Sequence, residues 1–208
     1  MTDNQHEQAW RPEVIKQEVE LTLRGLHSRS WLEHFYLAGG TGLALQFGHR
    51  RSVDLDFFSE TTFDEEALIQ RLTSAPGFSV VSKEDTQGCR SAAESTLHTG
   101  IGGVKVSFLG YPYPVLFAFR FFLGVRVADP RDIGCMKISV IASRGTRRGF
   151  IDLYFPAREL GLTNLIDLFK TKYLRANYSG VHILKSLTYF DEAERDPMPD
   201  MLIQIFLG

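Results

Sequence analysis

The stretch "LAGGTGLALQFGHRRSVDLDFF", residues 37–58, constrains this chain more than any other part of it. "FYLAGG" is a short apolar run stopped by glycines, which suits a buried strand. "TGLALQFG" then offers one or two turns of helix, closed by Gly48. "VDLDFF" alternates, so a strand there puts Asp54 and Asp56 on one face and Val53, Leu55 and Phe57 on the other. Carboxylates are seldom buried without a partner. A divalent cation is an economical partner for two that point the same way.

A Gly-Gly-Thr turn opening a helix exposes backbone N–H groups at the positive end of the helix dipole, which is a ready phosphate site. Two aspartates on the next strand can hold a hard cation that keeps phosphate oxygens in its shell. Together these are half of a phosphoryl-transfer site. Two plainer readings stay open. Gly39–Gly40 could be only a tight strand-to-helix turn, and the aspartates could line the solvent face of an edge strand. "GGTGLA" lacks the third glycine of a dinucleotide-binding fingerprint, and no lysine follows the glycines as a P-loop requires.

The remaining chain reads as a mixed sheet in the first two thirds and helices in the last third. A helix is expected from Arg11, with Ile15, Val19, Leu23 and Leu26 on one face. Another is expected after Thr62 as N-cap. "GFSVVSKE", "ESTLHTGIGG" and "GVKVSFLGYPYP" read as strands. Helices follow over Pro130 to Ser143, across "RGFIDLYFPARELG" with interruptions at Gly149 and Pro156, from Thr163 as N-cap, and across "VHILKSLTYFDEAE". The sixteen phenylalanines supply bulk for the core. A net charge of −2 argues against a nucleic-acid-coating protein, yet the segment from Arg120 to Arg175 has more than twice as many basic as acidic residues. Its Arg144, Arg147 and Arg148 surround Gly145; a groove for phosphates and a solvated helix surface are equally open. Cys89 and Cys135 have no zinc or disulfide spacing. "MTDNQHEQAW" has no apolar core for a signal peptide, and no segment has the roughly 20 apolar residues of a membrane span. A reduced cytoplasmic setting is the expectation.

With its motifs in order, "GGTGLALQFGHRRSVDLDFF" resembles the signature of the nucleotidyltransferase family that contains the AbiEii/AbiGii toxins: a Gly-Gly-Thr/Ser turn ahead of "HR-x-S-x-D-x-D-F". "MKISVIASRGTRRGFIDLYF", "VKVSFLGYPYP" and "LTYFDEAERDPMP" also look like family segments, so the resemblance covers most of residues 37–199. It implies an α/β (α+β) fold of the DNA polymerase β-like kind: a mixed-sheet nucleotidyltransferase core with an N-terminal helix over residues 1–128, and a helical part over 129–208 packed on it. It implies Mg²⁺ and transfer of a nucleoside monophosphate from a nucleoside triphosphate to an acceptor hydroxyl. The implied partners are tRNA or another RNA acceptor and a cognate antitoxin encoded nearby, with no membrane. By position, Asp54 and Asp56 would be metal ligands and catalytic, with Lys137 and Asp152 as further catalytic residues. Gly39, Gly40, Thr41, Arg50, Ser52 and Arg144 would bind the nucleotide.

Two positions depart from the family pattern. Enzymes of this fold supply a third carboxylate from a later strand, and Ser107 stands there in "GVKVSFL". Relatives often carry an acid where this chain has Gly149. Glu94 is a weaker substitute for the strand acid. These departures keep a second reading open: a nucleotide-binding or protein-interaction module that kept the fold and lost catalysis.

Overall fold

The computed structural model describes residues 9–81 and 95–203. Cys89, Glu94, residues 82–84 of the expected "GFSVVSKE" strand, the first eight residues and the last five lie outside them. A 3₁₀ turn at Pro12–Val14 leads into α1, Gln17–His27. Then come β1 (Tyr36–Leu37), α2 (Gly39–Phe47), β2 (Leu55–Ser59) and α3 (Glu65–Leu72), followed by β3 (Ser79–Val80), β4 (Thr96–Ile101) and β5 (Val104–Gly110). A hairpin of β6 (Arg120–Phe122) and β7 (Val125–Val127) precedes α4 (Pro130–Ser143), α5 (Arg147–Leu160), α6 (Leu162–Lys172) and α7 (Gly180–Thr188). The strands form one mixed sheet in the order β3-β4-β5-β2-β1-β7-β6.

The alternation of β2 explains how the sheet is sandwiched. Leu55 and Phe57 point to one face, where Phe57 stacks on Phe108 of β5 and both join Val19, Leu23 and Leu26 of α1 and Leu68 and Leu72 of α3. Phe58 points to the other face, beside Tyr36 of β1, Leu43 and Phe47 of α2, Ile133 and Met136 of α4, and Phe155 of α5. Each such side chain contributes about 1.5–3 kcal/mol when fully buried. A third cluster, with Cys135, Ile138, Leu153, Leu165, Phe169 and Ile183, binds α4 to α7 together. Lys172 of α6 and Asp132 of α4 form a buried ion pair at 2.8 Å. Asp132 also accepts from the Leu116 and Phe117 amides, so the pair pins the β5–β6 connection onto the helices.

Several local expectations are corrected. Asp64, not Thr62, caps α3, its carboxylate accepting from the Glu66 and Ala67 amides. The expected N-cap Thr163 lies inside α6, which starts after Gly161. The helix expected from Arg11 splits into the 3₁₀ turn and α1, although Ile15, Val19, Leu23 and Leu26 are all buried. Val53 is 50% exposed and precedes β2 instead of sharing its core face. The β6–β7 hairpin was not legible, because its turn is Leu123–Gly124, with Leu123 in the left-handed region, where Asn-Gly or Asp-Gly would be the usual signal. Gly149 and Pro156 do not interrupt α5, which runs unbroken through both. The Thr146 hydroxyl accepts from the Gly149 amide at the first turn, and burial of Leu153 and Phe155 outweighs the helix bond that Pro156 cannot make.

Candidate active site

β1 and β2 are antiparallel neighbours inside the sheet, so the end of β1 and the start of β2 meet at the same end of these strands. The Gly39–Gly40 turn and Asp54–Asp56 therefore lie side by side. Ala38 N donates to Asp56 O at 3.1 Å and fixes the register. Each glycine is required for its own reason. Gly39 has φ +64°, and a Cβ there would sit 3.0 Å from Asp56 Oδ2. At Gly40 a Cβ would lie 2.2 Å from Arg50 Nη2 and 3.4 Å from Asp152 Oδ2. The bare backbone lets two carboxylates and a guanidinium crowd against the start of α2, whose first amides have no intrahelical partner.

Asp152, on the buried side of α5, is the hub. Arg50 grips it in bidentate fashion, Nε to Oδ1 at 2.7 Å and Nη2 to Oδ2 at 2.9 Å. His49 Nε2 donates to Oδ1 at 2.9 Å, and Lys137 Nζ of α4 lies 2.7 Å from Oδ2. Burial alone would push the Asp152 carboxyl up, but Lys137, His49 and Arg50 together outweigh it and hold the group well below the usual carboxylate range. Burial also depresses His49, against the pull of Asp152 and with help from Arg50 and Lys137, so the ring is neutral. Its Nδ1 is buried and finds no hydrogen-bond partner among the described residues.

Asp56 behaves in the opposite way. Desolvation and the charge of Asp54 raise its pKa, while the Ser107 hydrogen bond and the charges of Lys137 and Lys105 pull it down; the net shift is upward. A carboxylate in that state favours an added cation. Two neighbouring, half-buried carboxylates suit Mg²⁺, which takes one or two carboxylates and completes its shell with water and phosphate oxygens. Among the described residues no group of three or more His, Cys, Asp or Glu forms a metal cluster. The strand position across from Asp56 is Ser107, and Ser107 in turn hydrogen-bonds His98 Nδ1 at 3.1 Å. His98, on β4, gave no local sequence signal.

The geometry brings together Gly39, Gly40, Thr41, Arg50, Ser52, Asp54, Asp56, Lys137 and Asp152. It gives some of them work other than nucleotide contact. The buried Thr41 hydroxyl donates to the Asp54 carbonyl, leaving Ser52 to donate to Thr41 Oγ1 at 2.7 Å; this pair fixes the approach to the aspartates. Arg50 is buried and engaged by Asp152, so it braces the site instead of facing a ligand. Lys137 is 14% exposed and already paired, so it is held in place rather than loose in the cleft. Arg144 is exposed at the end of α4, two helical turns beyond Lys137, and among the described residues no hydrogen bond or ion pair brings its side chain to the cluster. A side chain at Gly149 would start against Thr146 and Ile141, away from the aspartates. The C-terminal strap was also illegible: Arg51 N donates to Asp200 O, Leu202 N donates to His49 O, and Arg50 bridges Met201, tying the chain end to the loop that carries Arg50.

Among the described residues no helix is long and apolar enough to cross a membrane. Comparison with known proteins agrees with the fold. The family described as "Nucleotidyl transferase AbiEii toxin, Type IV TA system" matches residues 22–208. An uncharacterized protein of Aquifex aeolicus (strain VF5), aq_aa25, is 35% identical over 193 residues, covering 90% of this chain and 88% of its own. In fold the chain is similar to the crystal structure of ANT(2")-Ia in complex with adenylyl-2"-tobramycin (13% identical, 78% of this chain and 100% of that one, TM-score 0.53). The solution structure of ANT(2'')-Ia is similar to the same degree (14% identical, 76% and 92%, TM-score 0.51). The mixed sheet, its flanking helices and the family match identify a nucleotidyltransferase fold, and the chain belongs to the AbiEii family of nucleotidyltransferase toxins.

Proposed function

We propose that this chain moves a nucleoside monophosphate from a nucleoside triphosphate to an acceptor hydroxyl on tRNA, as a cytoplasmic toxin restrained by an antitoxin encoded nearby. The observation that supports it most is the Asp54–Asp56 pair set against the side-chain-free start of α2, with Asp56 held above its ordinary pKa. Asp54 and Asp56 would hold Mg²⁺, which supplies charge neutralisation at the phosphates when bound. The first amides of α2, from Gly39 to Thr41, bind phosphate oxygens. Lys137, fixed by Asp152, adds a positive charge beside Asp56 that favours the charge building up in transfer. The acceptor hydroxyl releases its proton to solvent as its oxygen bonds to the α-phosphorus; the bond from that phosphorus to the bridging oxygen breaks, and pyrophosphate leaves. Asp152, Arg50 and His49 position Lys137 and the glycine turn without touching substrate.

Ser107 favours a second reading, nucleotide binding without transfer, because a hydroxyl cannot replace the charge of a third carboxylate. Incubating the protein with each labelled triphosphate, Mg²⁺ and total tRNA separates the two. Label on RNA that disappears in Asp54→Asn supports the first; tight triphosphate binding with no transfer supports the second.

A further inference from the structure

A cavity of about 220 Å³ opens beside the loop that leads into Asp54, and its lining is unusually basic. Lys16, Arg50, Arg51 and Arg148 line it, and among the described residues Asp200 is the one acid on its wall. Their charges are unequally spent. Arg50 is neutralised by Asp152. Arg51 Nε lies 3.2 Å from Asp200 Oδ2, but both side chains are largely exposed, and such a pair contributes little and exchanges partners readily. Lys16 and Arg148 form no ion pair among the described residues. Two positive charges are thus left facing one concavity.

The backbone adds to this potential. Lys16 is the residue before α1 and Arg148 the second residue of α5, so two helices begin beside the cavity, with the positive ends of their dipoles near it. Position gives the cavity its meaning. Ser52 and Val53, which line it, immediately precede Asp54, and two residues span at most about 7 Å of chain. Ser52 links the cavity to the glycine turn: it lines the cavity, and its hydroxyl bonds Thr41 in the first turn of α2 at 2.7 Å. A water takes about 30 Å³ of liquid, so a phosphodiester fits with part of its hydration.

We infer that this cavity is a phosphate subsite for the acceptor strand: it holds a backbone phosphate of the RNA while that strand's hydroxyl reaches the Asp54–Asp56 edge. The inference rests on the proposed transfer reaction, in which the first amides of α2 take the triphosphate and the basic cavity beyond Ser52 is left to the acceptor. The same phosphate chemistry could come from the triphosphate tail, so the test has an arm for each source. Nothing covalent happens in the subsite. It sets the register of the strand and adds counterion release to the affinity.

The experiment measures binding without turnover. Fluorescence anisotropy reads the affinity of labelled tRNA for the full chain, with no nucleotide present, over a range of salt concentrations; calorimetry reads triphosphate affinity without RNA. Lys16→Ala and Arg148→Ala are compared with wild type and with Lys185→Ala, a lysine exposed on α7. Each cavity variant is expected to weaken RNA binding on the order of three- to tenfold and to flatten the salt slope by about 0.7 for each phosphate charge that is no longer neutralised. Triphosphate affinity should stay within about twofold, and Lys185→Ala should change neither. Unchanged RNA affinity and slope overturn the inference. A loss confined to triphosphate binding assigns the cavity to the nucleotide and overturns it as well. Because RNA binding is read without transfer, its outcome is separate from whether the enzyme turns over.

Discussion

Gly40→Ala tests the crowding at the start of α2. The new Cβ would sit 2.2 Å from Arg50 Nη2, where an ordinary contact begins at 3.4 Å, so the guanidinium must retreat by 3.4 − 2.2 = 1.2 Å. Normally the end of an arginine side chain moves cheaply. Here Arg50 is buried and its two nitrogens bond Asp152 at 2.7 and 2.9 Å, so a retreat of that size breaks at least the Nη2 bond. A hydrogen bond between charged groups contributes about 1.5–3 kcal/mol. Asp152 keeps Arg50 Nε, His49 and Lys137, which limits the loss to that range. In a chain of this size such a loss lowers Tm by about 3–12 °C. Thermal and urea unfolding followed by circular dichroism measure it. Gly25→Ala is the control: Gly25 lies inside α1 with nothing within 4 Å of its Cβ, so alanine should stabilise by about 0.5–1 kcal/mol. In an Arg50→Ala background the Gly40→Ala penalty should largely vanish. A Gly40→Ala cost below about 0.5 kcal/mol, or a cost unchanged without Arg50, would refute the wedge.

Asp56→Asn should raise apo stability at neutral pH, because the folded state holds this carboxyl above its unfolded pKa and ionisation therefore opposes folding; the gain should fade as pH falls below the ordinary carboxylate range, as a Tm series would show. His49 runs the other way: its folded pKa is depressed, so its contribution to stability is present above the unfolded value near 6.5 and is lost as pH falls below it, and His49→Gln should flatten that slope between about pH 7 and 5. Ser107→Asp places a carboxylate across β2 and β5 from Asp56, and calorimetry should find tighter Mg²⁺ binding than in wild type; no gain would mean that this side chain does not share the metal face.

The glycine turn, the short helix and the aspartate strand were legible because a two-residue period and a left-handed glycine C-cap are local facts: Gly48, at φ +69°, closes α2 as its position suggests. The reason for the second glycine was not local. It lies in Arg50 and Asp152, 102 residues apart, meeting under Gly40. The motif assigns Arg50 and Thr41 to the nucleotide because it names positions and not partners, and only packing shows that their polar atoms are already engaged. The unbroken α5 overrode glycine and proline propensities through the burial of Asp152, Leu153 and Phe155. The strap from Asp200 to Ile203 carries no motif at all, since backbone bonds to His49 and Arg51 hold it.

The most direct test of the central claim is transfer of label from an α-phosphate-labelled nucleoside triphosphate to tRNA in the presence of Mg²⁺, with wild type, Asp54→Asn and Asp56→Asn in parallel. Wild type should yield labelled RNA and released pyrophosphate, with both signals lost in either variant while the fold is retained. Equal labelling by the Asp54→Asn and Asp56→Asn proteins, or none by wild type with any of the four triphosphates despite firm nucleotide binding, would contradict it.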